Sequence, residues 1–423
     1  MKNLNDFLNK VIHGNAFVVL KQIPKNSIDV IITDPPYGLG FMNQEWDNPE
    51  KQLKLIRREI ERSKRRYMEG KSPTPAPFTK SVRPGLKLTT AKENRWYQKW
   101  ATKWAKLCLS VLKPGGYMLV FGYPRTFHRL ISGIEDAGFE IRDCLLWIFG
   151  AGFPKSVEIA SQIAKLKGCK KEEAKNWEGW GTALKPAYEP IVLARKPISE
   201  KNLALNILKW NVGALNIKDC KTSSGRFPSH LILECCCEET IKVNNQEFHT
   251  NPECPCYQLD ASSGILKSGY MSPTLHKRRK TKGEYQSPFG IYGKFKLEYL
   301  KETYGDIGGA SRFFYQAKTK EDERWFYCKI CQQAFHSNHA KKHEHNDGTS
   351  IIWHPTQKPL ELMKYLVKLV TPPNGIVLDL FCGTGTTLVA CKILGFKFIG
   401  IEKEKEYVEI ANARLKEIPE SLF

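Results

Sequence analysis

The feature that most constrains the fold is a strand, a glycine-containing turn, a helix and a second strand within residues 374–404, NGIVLDLFCGTGTTLVACKILGFKFIGIEKE. A similar alternation comes early in the chain, in SIDVIITDPPY (27–37) and in the helix and strand of residues 96–122. Strands that alternate with helices predict a parallel sheet with ligands at the carboxyl ends of the strands. TDPPY and FCGTG both follow such strands, so we expect them to meet at one cleft.

FCGTG, residues 381–385, has the setting of a cofactor loop. A strand precedes it, a helix follows it, and Glu402 lies 17 positions beyond Gly385, close to the spacing at which an acid binds ribose hydroxyls. No Gly-Lys-Ser/Thr follows, which excludes a P-loop, and the missing third glycine argues against NAD. The pattern favours a nucleoside-type cofactor without phosphates.

TDPPYG, residues 33–38, allows two interpretations. Pro-Pro ends a strand because proline cannot donate to a β-ladder, and Asp and Gly are ordinary turn residues. Alternatively, Asp34, Pro35 and an exposed Tyr37 form a receptor for a flat ring that carries an amino group.

Charge and composition narrow the class of protein. A net charge of +21 on 423 residues favours a polyanionic partner, either nucleic acid or an acidic membrane surface. Apolar runs fall short of the roughly 20 residues that a membrane helix needs, and the N-terminus is too polar for a secretory signal. We therefore expect a soluble cytoplasmic protein without membrane partners, whose cysteines are metal ligands or free thiols.

The motifs together resemble the β-group of AdoMet-dependent DNA amino-methyltransferases, especially members found in phages and prophages. The resemblance rests on HGNAFVVLKQIPKNSIDVIITDPPYG, VLKPGGYMLVFG, GFPKS, GWGTALKPAYEPIVLARKP, SRFFY, HPTQKPLELM and LDLFCGTGTT. It implies an α/β, Rossmann-like methyltransferase fold with a circularly permuted motif order. Residues 1–195 would form the catalytic half, with a basic insert at about 48–95. Residues 196–350 would form an inserted, loop-rich target-recognition region, and residues 351–423 the AdoMet-binding half.

The resemblance also implies a chemistry for TDPPY. The Asp34 carboxylate and the Pro35 carbonyl would accept hydrogen bonds from the amine of a base, and the rigid Pro35–Pro36 segment would fix both acceptors. The base would be flipped out of duplex DNA and stack on Tyr37. The cofactor contacts implied are Asn15, Asp34, His354, Thr356, Lys358, Asp379, Phe381, Gly383, Gly385, Thr386 and Glu402.

Asp34 also bears on the choice of base. Adenine-N6 members of the family usually carry Asp at this position and cytosine-N4 members usually carry Ser, so we expect N6-methyladenine as the product. Cytosine-N4 methylation, methylation of RNA or a protein amide, and a zinc-containing DNA-binding protein with a vestigial methyltransferase fold stay open as alternatives. A homodimer and a cognate restriction endonuclease, as in restriction–modification systems, are further expectations.

FYCKICQQAFHSNHAKKHEH, residues 326–345, predicts a structural zinc module at about 325–346. Cys328 and Cys331 have zinc-knuckle spacing, and His339 and His343 would share one face of a helix. His336 and His345 compete with them as ligands. The alternative is a pair of thiols in a solvated loop rich in His and Lys.

A second group of cysteines is looser in sequence. Three adjacent cysteines cannot easily all bind one ion, but Cys235 or Cys237 together with Cys254 and Cys256 could form a second structural zinc site. His249 lies between them. A buried thiol cluster is the alternative.

Basic segments at 57–66 and 276–282 predict contacts with DNA phosphates, with a solvated surface as the alternative. Phe41 and Trp46, after the catalytic loop, would help to hold the flipped base. The predicted phosphate contacts are Arg57, Arg58, Lys64, Arg65, Arg66, Lys277, Arg278 and Arg279.

Overall fold

The computed structural model describes residues 3–38, 91–150, 152, 156–166, 171–243, 246–269, 285–286, 294–295, 306–319, 323–337, 343, 350–354 and 356–419. Its strands are β1 (Lys10–His13), β2 (Ile28–Thr33), β3 (Leu112–Phe121), β4 (Glu140–Ile148), β5 (Tyr188–Arg195), β6 (Leu231–Cys235), β7 (Thr240–Val243), β8 (Gln246–His249), β9 (Leu266–Lys267), β10 (Tyr285–Gln286), β11 (Lys294–Phe295), β12 (Ile307–Gly308), β13 (Tyr315–Lys318), β14 (Trp325–Cys328), β15 (Gln333–His336), β16 (Ile351–Trp353), β17 (Ile376–Asp379) and β18 (Lys397–Glu402).

The helices are α1 (Ala16–Val19), α2 (Ala91–Val111), α3 (Phe127–Glu135), α4 (Ile159–Ile163), α5 (Lys171–Lys175), α6 (Leu203–Trp210), α7 (Pro255–Ser263), α8 (Leu360–Val370), α9 (Thr386–Ile393) and α10 (Lys405–Lys416). Short 3-10 helices span Leu4–Asp6, Leu20–Gln22 and Ala310–Phe313. Within the ranges described, no helix is long and apolar enough to cross a membrane.

The chain divides into two compact units. The first comprises Met1–Trp147, Tyr188–Asp219 and Thr319–Phe423, and the second comprises Ile148–Ala187 and Cys220–Lys318. These boundaries are geometric. The functional division at residues 195 and 350 stays a prediction.

The first unit is built on a sheet with the strand order β1-β18-β17-β2-β3-β5-β4. The pairs from β1 to β3 are all parallel, and β5 runs antiparallel to β3. Every residue of β2 is buried, as expected for a parallel strand covered on both faces. The α/β prediction is confirmed, with TDPPY on an early strand and FCGTG on a late one.

Pairing between β2 and β17 brings the two motifs together. Val30 lies opposite Val377 and Ile31 opposite Leu378, so both strands end at the same edge of the sheet. Asp29 fixes this register, because its Oδ2 accepts a hydrogen bond from the Ile376 amide at 2.8 Å. The predicted meeting of TDPPY and FCGTG is therefore confirmed.

Helix α2 covers part of this sheet with aromatic and small side chains. Trp104 and Ala101 are fully buried in one cluster with Ile28 and Ile31 of β2. The same helix reaches the cofactor-type loop, since the Trp100 ring lies 5.7 Å from the Phe381 ring. The core thus holds the loop in place.

A small antiparallel sheet, β15-β14-β16, also belongs to the first unit. Trp325 and Tyr327 of β14 form a buried cluster with Tyr407 and Ile410 of α10. The segment that carries Cys328 is therefore packed on the C-terminal helix.

The second unit has short strands. β6 and β13 pair in parallel, whereas β7–β8, β9–β12 and β10–β11 are antiparallel pairs. Among the residues of this unit that the structure describes, one buried cluster contains four cysteines and one leucine: Leu233, Cys235, Cys237, Cys254 and Cys256.

Candidate active site

Asp34 stands directly beyond β2, which ends at Thr33. Pro35 and Pro36 lack N–H groups and cannot extend the ladder, so the chain leaves the sheet here. Asp34 Oδ2 forms an ion pair with Lys358 Nζ at 2.7 Å. Asp34 and Lys358, which are 324 positions apart in the sequence, thus share one site.

Lys358 is the centre of a buried network. Its Nζ lies 3.1 Å from Glu189 Oε2 and donates to Tyr37 Oη at 3.2 Å, while Tyr37 Oη donates to the same Glu189 oxygen at 3.1 Å. The ammonium also lies 5.1 Å from the Phe121 ring centroid. One cation between two carboxylates and two rings fixes the position of Tyr37.

The electrostatics follow from burial and charge pairing. Burial lowers the pKa of Lys358, but Asp34 and Glu189 outweigh it and raise that pKa above its ordinary value of 10.5. Burial raises the pKa of Glu189 above 4.5, and Lys358 offsets part of the rise. Burial also raises the pKa of Tyr37 well above 10.0, with the two carboxylates adding to the effect. Lys358 therefore stays charged and Tyr37 stays neutral.

The second oxygen of Asp34 differs from the first. Asp34 Oδ1 is buried and accepts no hydrogen bond from any residue that the structure describes. Buried polar atoms without a partner are rare, because leaving one costs about 1–3 kcal/mol. One carboxylate oxygen is anchored by Lys358 and the other is available to a ligand donor.

Tyr37 is half-buried and not the exposed residue that we expected from the sequence. Its ring stacks on Tyr123, with centroids 5.9 Å apart. The difference arises because its hydroxyl group hydrogen-bonds Glu189, a partner on β5 that the TDPPY motif does not reveal.

The loop between β17 and α9 needs both of its glycines. Gly383 has φ +50° and a Cβ there would lie 3.3 Å from His354 Nε2, while Gly385 has φ +79° and its Cβ would lie 2.8 Å from Ala411 Cβ. A side chain at residue 383 would fill the space beside His354. Gly385 instead allows the loop to pack on α10.

Glu402, at the end of β18, is held by the backbone. Its Oε1 accepts from the amides of Lys403 (2.7 Å) and Glu404 (2.9 Å), and its Oε2 accepts from Gly383 (2.8 Å). Burial raises the pKa of Glu402, and these three amides oppose that rise. Asn15 is brought to the same edge because Gly14 donates to the Glu402 carbonyl at 2.8 Å. Its own side chain caps α1 by accepting from Phe17.

Asp379 accepts three hydrogen bonds from other parts of the site. Thr33 and Thr387 donate to its two oxygens at 2.8 Å and 2.6 Å, and the Phe381 amide adds a third hydrogen bond at 3.2 Å. Burial still raises the pKa of Asp379 from 3.8 to about 7. Its oxygens therefore join β2, the loop and α9 within the protein itself.

His354 lies between the loop and the network. The amide of Thr356 lies 3.3 Å from His354 Nδ1 and donates to it, which places the proton of a neutral ring on Nε2. Burial lowers the pKa of His354 to about 4, aided by Lys358 and opposed by Asp34. The ring is neutral at pH 7.

Two contributors were missed by sequence reasoning. Glu189 is the second residue of β5 and lies within GWGTALKPAYEPIVLARKP. Its contact with Lys358 depends on β5 lying beside β3, which the sequence does not show. Arg414 is buried on α10 and its Nη1 binds the Thr384 carbonyl at 2.8 Å and Thr386 Oγ1 at 2.9 Å. A single sequence does not distinguish a buried arginine such as Arg414 from the exposed charged residues that an amphipathic helix normally carries.

Two sets of metal-ligand atoms gather outside this site. Cys328, Cys331 and His343 form the first, with Cys331 Sγ 3.5 Å from His343 Nε2. Cys235, His249, Cys254 and Cys256 form the second. The second set contains His249 where the sequence suggested Cys237.

Several predicted residues fall outside the described part of the chain, and their roles stay predictions. They are His339, Phe41, Trp46, Arg57, Arg58, Lys64, Arg65, Arg66, Lys277, Arg278 and Arg279.

The fold and the site together define a class of protein. It is an α/β protein whose mainly parallel sheet has a carboxylate directly beyond one strand and a glycine loop beyond the neighbouring parallel strand, at the same edge. A sequence model of the family described as DNA methylase, N6_N4_Mtase, matches residues 28–413. The chain therefore belongs to this DNA methylase family.

Individual relatives are more distant. The chain is 25% identical over 409 residues to the Type II methyltransferase M.HindIII of Haemophilus influenzae, covering 96% of this chain and 94% of the relative. A stretch of 65 residues is 48% identical to the Type II methyltransferase M.HinfI of the same species, covering 15% and 18%. The solved PvuII DNA methyltransferase (cytosine-N4-specific) is 14% identical, with a TM-score of 0.46 and coverage of 97% and 90%.

Proposed function

We propose that this protein transfers the methyl group of AdoMet to N6 of adenine in duplex DNA. The observation that carries the proposal is the asymmetry of Asp34. Its Oδ2 is anchored at 2.7 Å from Lys358 Nζ, whereas its Oδ1 is buried without a described partner. An amine that donates an N–H to Oδ1 would satisfy that atom.

The loop and strand ends fit a nucleoside cofactor of this kind. The absence of a side chain at Gly383 leaves space beside His354, and the Glu402 carboxylate lies at the end of the adjacent strand. Gly383, Phe381, Glu402 and Asn15 would hold AdoMet. When bound, AdoMet supplies an electrophilic methyl group.

The residues of the chain then act on the amine. Its lone pair is delocalised into the base, and hydrogen bonds from its two N–H groups to Asp34 Oδ1 and the Pro35 carbonyl would localise that pair on nitrogen. Lys358 Nζ, at 2.7 Å from Oδ2, keeps the Asp34 carboxylate oriented. Because Pro35 and Pro36 restrict the backbone, both acceptors stay in place and positioning supplies part of the rate.

The position of Asp34 Oδ1 also supports base flipping. The atom is buried, so an amine still stacked within a duplex would not reach it, and the base must leave the stack at a cost of a few kcal/mol. The net charge of +21 favours DNA binding, and affinity should fall steeply with salt if the predicted basic segments contact phosphates. A homodimer and a cognate restriction endonuclease stay predictions.

Adenine is favoured over cytosine by the identity of residue 34, through the family resemblance alone. Nucleoside mass spectrometry on unmethylated duplex DNA, incubated with protein and AdoMet, tests reaction and base together. Asp34→Asn should abolish methylation and keep AdoMet binding, whereas Asp143→Asn, at an exposed Asp on β4, should match the unsubstituted protein.

Each other outcome has a defined meaning. N4-methylcytosine without N6-methyladenine would overturn the choice of base and keep the role of Asp34. AdoMet binding without methylation of DNA would contradict the proposal and favour an RNA or protein substrate or a vestigial fold.

A further inference from the structure

We propose that the second unit contains a structural zinc ion bound by Cys235, His249, Cys254 and Cys256. All four residues are buried, and their ligand atoms lie within 4.8 Å of one another. Cys235 ends β6, His249 ends β8, and Cys254 and Cys256 begin α7. One ion would therefore join three elements of the second unit.

The distances suit a tetrahedral ion. Ligands at about 2.3 Å (sulfur) and 2.0–2.1 Å (nitrogen) from Zn²⁺ lie roughly 3.5–3.8 Å apart at the corners of a tetrahedron. Cys235 Sγ and His249 Nδ1 are 3.5 Å apart. Three thiolates and one imidazole complete a closed site with no open position, the arrangement of structural rather than catalytic zinc.

The environment of His249 supplies an independent observation. Its Nδ1 faces the sulfurs, and its Nε2 lies 3.4 Å from Ser311 Oγ and 4.0 Å from Asp260 Oδ2. Asp260 is itself held by the amide and hydroxyl of Ser311, at 2.7 Å and 2.8 Å. Metal-bound histidines commonly direct the second ring nitrogen at a carboxylate or another acceptor, which fixes the tautomer and ring orientation.

Cys237 lies beside the site without belonging to it. Its Sγ is 3.7 Å from His249 Nδ1, but it accepts a hydrogen bond from the Asn251 amide at 3.5 Å. Of the residues that the sequence suggested, the proposed ligand set keeps Cys235, Cys254 and Cys256 and adds His249. The β7–β8 hairpin returns the chain so that His249, and not Cys237, completes the four ligands.

Zinc content of the full-length protein tests the proposal. Cys256→Ser should lose one equivalent of Zn²⁺ per chain relative to the unsubstituted protein, and Cys237→Ser, the matched control, should lose none. The zinc content of Cys328→Ser shows separately whether the cluster of Cys328, Cys331 and His343 also binds an ion. Unchanged zinc in Cys256→Ser, or loss of one equivalent in Cys237→Ser, would overturn the assignment.

A second measurement does not depend on Cys256→Ser folding. Replacing the bound metal with Co²⁺ in the Cys328→Ser variant should give the thiolate-to-cobalt charge transfer and visible bands of a tetrahedral site with three sulfur ligands. A spectrum without tetrahedral bands, or no Co²⁺ bound at all, would contradict the proposal. Neither result depends on methyltransferase activity.

Discussion

Replacing Lys358 with Met should reduce methyl transfer by about a hundredfold at pH 7 and make the remaining activity rise with pH. The ammonium lies 2.7 Å from Asp34 Oδ2 and 3.1 Å from Glu189 Oε2, and only 7% of the lysine side chain is exposed. Methionine is similar in length and carries no charge. Two buried carboxylates would therefore lose their shared counter-ion.

The size of the effect follows from the burial of this network. At 2.7 Å and an effective dielectric constant of ~20, the attraction between two unit charges is about 6 kcal/mol before desolvation is subtracted. Removing one partner of a buried ion pair costs about 3–5 kcal/mol in practice. A loss of about 3 kcal/mol from the reactive form lowers the rate roughly a hundredfold, because each 1.36 kcal/mol is a factor of ten.

The direction of the pH dependence follows from the same charges. Burial raises the pKa of Glu189, and Lys358 offsets part of that rise, so its removal raises the pKa of Glu189 further. Without the Lys358 cation, Glu189 therefore stays protonated to a higher pH than in the unsubstituted protein and loses that proton as the pH increases. Because the ionised Glu189 carboxylate accepts the hydrogen bond that holds Tyr37, activity should recover on the alkaline side.

The assay is transfer of a labelled methyl group from AdoMet to unmethylated duplex DNA, measured as a function of pH between about pH 6 and pH 9. AdoMet binding is measured separately. Lys364→Met is the matched control on α8, because its ion pair with Glu361 at 2.8 Å is partly exposed and such pairs contribute about 0–1 kcal/mol. Equal rates and equal pH profiles for the two variants would refute the reasoning.

Three further variants probe other parts of the site. Glu189→Gln should lower kcat about ten- to a hundredfold and leave AdoMet affinity unchanged, since a hydrogen bond to a charged group contributes about 1.5–3 kcal/mol; an unchanged kcat would contradict this role. Gly385→Ala should weaken AdoMet binding and lower Tm more than Gly179→Ala does. Both glycines have nearly the same φ (+79° and +78°), but only a Cβ at Gly385 would be crowded, by Ala411. Equal losses of Tm in the two variants would mean that backbone strain alone determines the effect. Asp379→Asn should flatten the pH dependence of the unfolding free energy. Burial raises the pKa of Asp379 from 3.8 to about 7, so its stabilising contribution is complete below about pH 4 and is lost as the pH rises through about 7; urea titrations across this range that show the same slope in both proteins would contradict the assignment.

The sheet and the meeting of the two motifs could be predicted because they depend on local pattern. β2 and β17 are short apolar runs followed by turn residues, and parallel strands place such turns at one edge. Glu189 could not be predicted, because it reaches Lys358 only if β5 lies next to β3. The exposure expected for Tyr37 was wrong for the same reason, since Glu189 holds its hydroxyl group.

The metal-ligand sets show the same limit. Spacing suggested Cys328 with Cys331 and Cys254 with Cys256 as candidate ligands, because ligands close in sequence have a recognisable pattern, and the structure brings each pair into a cluster of potential ligand atoms. The choice between Cys237 and His249 as the fourth proposed ligand depends on how the β7–β8 hairpin turns. The hairpin brings His249, 14 positions beyond Cys235, close enough that its Nδ1 lies 3.5 Å from Cys235 Sγ. Spacing does not contain that information.

The long-range contacts explain why the order of motifs along the chain does not matter for the proposed chemistry. Thr33 and Asp379 are 346 positions apart and hydrogen-bonded at 2.8 Å, and Lys358 reaches Tyr37 across 321 positions. β1 pairs with β18, so both termini of the first unit contribute to the same sheet. In a parallel sheet, the side chains that meet are set by which strands are neighbours and not by which strand comes first. The proposed catalytic carboxylate, Asp34, can therefore precede the proposed cofactor loop in sequence, provided that β2 and β17 remain adjacent.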